Sequence, residues 1–447
     1  MSKKIFIRGT LLLTFSGLIS RIIGFFYRIF LSRIIGAQGL GIYQLVFPLQ
    51  TFILAICASG IQTAISRLAA SEEALGDHKK ACDYFMVGTF FSLILSISFS
   101  SLLYLHADFW ACEILKEPRT NSLIQMLSLS FPFSTLHSCI NSYYFARKKT
   151  LLPAGIQILE QAARAGSSYI LYLILISEKM IITPLIAVFG TLISEIMASV
   201  VSLFFISMHF KDIHYSPFRL SQPVQLLKNT FQISVPLTLN KILLTLLSSI
   251  EVILIPARLQ VSGLSSREAL SIYGIFTGMA LPMILFPSAL TNSAAVMLLP
   301  SVSQLQTLGH SQKIRQVISQ IFKYCISLGL FCMAGFLLFG QFIGNFLFHS
   351  PTAGLYIKTL AFICPFLYLN ATLTSVLNGL GRSGLCLIHS VISILIRMVF
   401  VIFMIPVLGI KGYFYGILLG ELILTILHVF ALSEKHFPYR HSDSDGL

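Results

Sequence analysis

Arg21 and Arg28 stand seven residues apart in an otherwise apolar stretch, TFSGLISRIIGFFYRIFLS, that runs from Thr14 to Ser32. A charged side chain at the centre of a membrane helix costs roughly 2.5–3.5 kcal/mol, so two in one helix need a reason. At about 100° per residue, Thr14, Gly17, Arg21, Gly24, Arg28 and Ser32 share one stripe. Phe15, Ile19, Ile22, Phe26 and Phe30 take the other side. In one account the arginines snorkel to opposite interfaces or pair with carboxylates, and the glycines serve close helix packing. In the other, the stripe lines a wet cavity where fixed cations attract an anionic group, which explains why both arginines share a face.

Similar polar stripes recur along the chain. In QILEQAAR, Gln157, Glu160, Gln161 and Arg164 share a face that continues to Ser168. Glu160 and Arg164, spaced i and i+4, suit an intrahelical ion pair as well as a cavity role. Lys241, Thr245 and Ser248 form another stripe, with Asn240 and Glu251 on an adjacent face, and Cys386, Ser390, Ser393 and Arg397 form a third. Arg21, Arg28, Arg164, Lys241 and Arg397 are therefore the candidate cations for an anionic ligand. Gln157, Glu160, Gln161, Asn240, Glu251, Glu195 and Glu421 are the polar or coupling candidates. Glu195 and Glu421 fit two roles, ion or proton coupling and burial as partners of the arginines.

The elements that must position these groups are membrane helices. Hydrophobic residues make up 55% of the chain and charged ones 11%, a balance that excludes an ordinary soluble domain. A window of about 20 residues finds about twelve spans, centred near 20, 53, 93, 132, 164, 195, 242, 283, 328, 368, 396 and 421. The net charge of +14 follows topology and does not imply nucleic acid. About 17 Lys and Arg fall in the N-terminus, residues 67–80, 147–149, 211–228, 313–315 and 382, and the C-terminal tail, against about 8 in the alternate loops. The first set, both termini included, is expected to be cytoplasmic. The apolar run that follows Lys3, Lys4 and Arg8 is too long for a signal-peptide core, and it is expected to be kept as the first helix. Eight cysteines without metal or disulfide spacing give no metal site.

Several motifs carry no chemistry. GLGRSG, Gly379 to Gly384, fits a dinucleotide fingerprint but joins two membrane helices, and no phosphate-binding loop with its lysine exists. Asn370-Ala-Thr372 sits in an apolar helix, and His137, His389 and His428 read as isolated packed or cavity-lining residues. No catalytic residue and no cofactor is expected.

The two halves of the chain repeat. Ile42-Tyr43 recurs as Ile272-Tyr273, Gln62-Thr63-Ala64 faces Asn292-Ser293-Ala294, and Ser71 faces Ser301. Gly190 with Glu195 recurs as Gly416 with Glu421, and Arg164 answers Arg397. A parallel duplication implies two six-helix lobes around a central cavity, an architecture of alternating-access transporters. The expected divisions are an N-lobe at 1–210, a connector at 211–225, a C-lobe at 226–435 and a tail at 436–447.

The segment RGTLLLTFSGLISRIIGFFYRIFLSRIIGAQGLGIY, with AISRLAA, the GDH at Gly76 to His78, and QILEQAAR, resembles the stage V sporulation protein B-like members of the polysaccharide transport family. That family lies in the multidrug, oligosaccharidyl-lipid and polysaccharide exporter superfamily. The resemblance implies an all-α integral membrane protein that moves a polyprenyl pyrophosphate-linked saccharide from the inner to the outer leaflet, for cell-wall, spore-cortex or surface polysaccharide synthesis. Its implied partners are that saccharide lipid, membrane lipids and cell-wall synthases. The chain is similar, more distantly, to lipid II flippases, and departs from them at Tyr27 and near Ile42. Two rival functions remain, a multidrug cation antiporter of the same superfamily and a membrane glycosyl polymerase or ligase. The latter would want a sizeable outer loop with catalytic acids, and the longest here, near His106 to Asn121, is short, though it contains Asp108, Glu113 and Glu117.

Overall fold

The computed structural model describes residues 3–215, 222–308 and 310–433. The expected tail at 436–447 and the middle of the connector, 216–221, lie outside the described residues. Every regular element described is helical. In chain order the main helices are α1 (Lys3–Ile34), α2 (Gly36–Leu75), α3 (His78–Leu105), α4 (Phe131–Ala146), α5 (Leu151–Ser177) and α6 (Leu185–Asp212). They continue as α7 (Pro223–Val261), α8 (Ser266–Leu285), α9 (Ser311–Phe348), α10 (Pro351–Gly379), α11 (Ser383–Leu408) and α12 (Ile410–Ser433). A short helix, Asn121–Ser128, leads into α4, and Ser288–Thr307 follows α8.

Among the described residues, ten of these helices are long and apolar enough to cross a membrane, and α4 with its bent lead-in makes eleven. The expected twelfth, α5, falls short only in apolarity. Its 27 residues reach about 40 Å, but Gln157, Glu160, Gln161 and Arg164 dilute its hydropathy. The twelve centres marked in the sequence all fall in these helices or, for 132, at the start of α4.

Local chemistry sets the boundaries. Gly36 at φ +67° and Gly76 at φ +82° take left-handed turns that an L side chain resists, closing α1 and α2. Asp77 then caps α3, accepting from the Lys80 amide at 2.9 Å. Ser265 and Glu268 form a reciprocal capping box that starts α8, and Ser350 caps α10 with Pro351 in its first turn. The GLGRSG segment is a turn between α10 and α11, with Gly381 at φ +75°.

The chain forms two compact units that divide inside α7, between Ile253 and Leu254. In the first unit, Ile65, Phe85, Cys139, Ile140, Tyr143 and Ile206 make a core shared by α2, α3, α4 and α6. The first part of α7 packs into the same unit. Asn229 Nδ2 donates to the Tyr84 hydroxyl at 2.8 Å, Phe91 meets Phe231 edge-on, and Ser249 Oγ donates to the Pro48 carbonyl at 3.2 Å. The second unit has its own core of Val302, Ile314, Cys325, Leu369, Val376 and Leu377. Outward-facing Phe331, Leu338, Phe342 and Phe346 on α9 are exposed, which suits a lipid-facing helix and would be a liability in water.

Candidate functional site

The polar faces of α1 and α5 meet. Ser16 Oγ donates to Gln157 Oε1 at 3.3 Å, and Ser20 Oγ donates to the Gln157 carbonyl at 3.3 Å. Gly17 lies over the Gln157 amide and Gly24 over Gln161 Oε1, where an added Cβ would stand 4.0 and 3.5 Å away. Farther along, Tyr27 and Ser168 share a 2.9 Å hydrogen bond, and Ser168 Oγ donates to the Ile186 carbonyl at 3.1 Å. Small residues on α1 thus let the glutamines of α5 close in, while Phe15 and Phe26 point away, exposed at 65% and 63%. Arg21 is exposed and Arg28 half-buried, and among the described residues neither makes an ion pair or donates a hydrogen bond. Arg28 stands in the field of Tyr43 and Arg164.

Behind this face lies a charge cluster, half-buried at Arg164 and Glu160 and buried at Glu195 and His137. Arg164 Nη2 donates to Glu160 Oε1 at 2.6 Å and lies 3.9 Å from Glu195 Oε1. The other oxygen of Glu195 is 2.7 Å from His137 Nε2. Glu195 is buried on α6 and His137 on α4, so the cluster joins three helices. Gly190 allows the approach, because a Cβ there would meet Ser168 Oγ and sit 2.8 Å from the Arg164 carbonyl oxygen. Glu160 and Arg164 therefore form the intrahelical pair, and Glu195 is drawn to the same arginine.

The second unit repeats the arrangement. Arg397 Nη1 lies 3.8 Å from Glu421 Oε1, and Asn370 Nδ2 donates to Glu421 Oε2 at 2.7 Å. Thr425 Oγ1 donates to Asn370 Oδ1 at 2.8 Å, which fixes the amide. On α7, Asn240 and Lys241 are exposed, with no ion pair to Lys241 among the described residues, while Glu251 is buried. No group of three His, Cys, Asp or Glu among the described residues could hold a metal ion.

Three sequence expectations need correction. His137 is not isolated, since Glu195, 58 residues away in sequence, is its partner. His389 and His428, on α11 and α12, lie with ring centroids 5.2 Å apart. Arg147, counted as a loop charge, turns inward to bring Nε within 3.1 Å of Glu73 Oε1 and to contact His209. Sequence reasoning missed His137 and Asn370 as members of the clusters. A signal was present, because each precedes its arginine, Arg164 or Arg397, by 27 residues.

Residues 6–306 match the family described as polysaccharide biosynthesis protein. Stage V sporulation protein B of Bacillus subtilis (strain 168) is 27% identical over 97% of this chain and 85% of that protein. Lipid II flippase MurJ of the same organism is 22% identical over 99% of this chain and 84% of that protein. A solved multidrug resistance MATE family transporter of the MOP superfamily, in an inward-facing conformation, aligns with TM-score 0.67 and 16% identity. That alignment covers 94% of this chain and 93% of the transporter, so the two share the two-lobe fold.

Proposed function

From the premise that this chain belongs to the polysaccharide biosynthesis protein family, we propose that it moves a polyprenyl pyrophosphate-linked saccharide from the inner to the outer leaflet by alternating access. The observation that carries this reading is the α1 face, where Arg21 and Arg28 have no carboxylate partner among the described residues, beside Arg164. A pyrophosphate head is multiply anionic and cannot cross about 30 Å of hydrocarbon unaided. Guanidinium groups that are not neutralised internally hold it through charge-assisted hydrogen bonds, while the lipid tail stays in the bilayer. Lys241 and Arg397 are proposed as further cations on the path, and Gln157, Gln161 and Asn240 as polar contacts for the sugar. Both termini and the 211–228 connector are placed in the cytoplasm on the positive-inside count.

A cation antiporter would present carboxylates to its substrate, whereas the carboxylates of this α1–α5 region are engaged with Arg164 and His137. A polymerase would need free acids in the outer segment. Of the three acids there, Glu117 is held by Arg119 at 2.5 Å, Asp108 accepts from Asn121 at 3.4 Å, and Glu113 alone is exposed without such a partner among the described residues. Mass spectrometry of lipids co-purifying in mild detergent tests the reading. A polyprenyl pyrophosphate saccharide should be retained by the parent protein and lost from the Arg21→Gln/Arg28→Gln variant. Equal retention by both would count against it.

A further inference from the structure

We propose that Arg258 is an anion-binding residue of the second unit, the duplicate of Arg28 in the first, and that it contacts a pyrophosphate head group; the identity of that ligand rests on the function proposed above. The pairs Ile42-Tyr43 with Ile272-Tyr273 and Ser71 with Ser301 are each 230 residues apart. Carried back along the chain, that spacing lays Arg28 of α1 on Arg258 of α7 and Ser32 on Ser262. The geometry agrees with the letters. Ser32 Oγ donates to the Ile29 carbonyl at 2.7 Å, and Ser262 Oγ donates to the Leu259 carbonyl at 2.6 Å, the same bond 230 residues on. Ile29 and Leu259, next to the two arginines, are both buried, as are Leu40 and Leu270 farther along. Arg258 therefore holds on α7 the position that Arg28 holds on α1.

Like Arg28, Arg258 is half-buried, and among the described residues its side chain makes no ion pair and donates no hydrogen bond. Capping the end of α7 is a role that other groups already fill. The Arg258 carbonyl accepts from the Ser262 amide at 3.3 Å, the Leu259 carbonyl from Ser262 Oγ, and the Gln260 carbonyl from the Gly263 amide at 3.0 Å, with Gly263 at φ +96°. A cation this close to the end of its helix can reach water by snorkelling, but that service needs a charge and not a planar fork. Donors left open beside the buried Ile255 and Leu259 suit the oxygens of a phosphate.

The two stripes differ at their other end. Glu251, which is buried, stands where α1 has Arg21, seven residues before Arg258 and about 10 Å back along the helix. This stretch of α7 thus carries one arginine where α1 carries two, so Arg258 is the weaker contact. On the orientation proposed above, both Arg28 and Arg258 lie in the outer halves of their helices, where a head group arrives before it leaves for the outer leaflet.

Isothermal titration of the purified protein in detergent with farnesyl pyrophosphate, and separately with inorganic pyrophosphate, tests the proposal. Arg258→Gln should weaken both about tenfold at an unchanged melting temperature, and Arg258→Lys should lose part of that affinity. The Arg21→Gln/Arg28→Gln variant should lose more. Arg267→Gln removes an exposed charge nine residues on and should bind as the parent does. A folded Arg258→Gln protein with parental affinity, an equal loss in Arg267→Gln, or a parent that binds neither ligand would overturn the proposal. Weakening confined to inorganic pyrophosphate would mark a site for the free anion and remove the head-group role. If Arg258→Gln does not fold, Arg258→Lys decides, because parental affinity there means a snorkelling cation and overturns the proposal. The function it rests on fails separately: an Arg21→Gln/Arg28→Gln protein that binds like the parent, beside a weakened Arg258→Gln, would remove the α1 site and leave Arg258 standing.

Discussion

Arg164 is the residue on which two carboxylates depend, the buried Glu195 and the half-buried Glu160, and its loss should be the most damaging single change in the first unit. Replacing it with Met strands the buried Glu195 beside a half-buried Glu160, at an expected cost of about 3–5 kcal/mol. Adding Glu160→Gln to the same protein should recover part of that loss, and thermal unfolding in detergent measures both steps. Arg21→Gln, by contrast, removes an exposed cation with no partner among the described residues and should leave stability within about 0.5 kcal/mol of the parent. The arginine stripe was legible in the sequence because helical periodicity alone sets which residues share a face. The roles of His137 and Asn370 were not, since their carboxylates lie on other helices and a single polar residue in an apolar helix has many uses.

At the scale of elements, the close approach of α5 and α6 rests on Gly190. An Ala there must displace Ser168 or the Arg164 backbone, for a loss of about 1–3 kcal/mol. Gly166, on the same pair of helices, has open space at its Cβ, so Gly166→Ala should be neutral or add about 0.5–1 kcal/mol through helix propensity. Parallel melting curves of the two variants check the contrast. The helices were readable from hydropathy with one instructive exception: α5 fails an apolarity test because it carries the polar face that packs on α1. The repeat of Gly190 and Glu195 as Gly416 and Glu421 was visible as letters. That both glutamates face an arginine became visible only when the helices were packed.

The whole molecule is a two-lobe membrane fold, and its orientation can be read chemically. Cysteines placed at Lys148, Lys149 or in the 211–228 connector should resist impermeant thiol reagents in intact cells and react after permeabilisation. Lys148 and Lys149 are exposed, so failure to react would not come from burial. Labelling from outside would reverse the proposed topology. The central claim, that unneutralised arginines on α1 carry an anionic head group across the bilayer, is tested most directly in proteoliposomes containing a polyprenyl pyrophosphate-linked saccharide. Translocation by the parent should fall at least about tenfold, some 1.4 kcal/mol, in an Arg21→Gln/Arg28→Gln variant that melts like the parent, and Arg28→Lys should keep part of the rate. A well-folded double variant that moves the lipid at the parental rate would contradict the account.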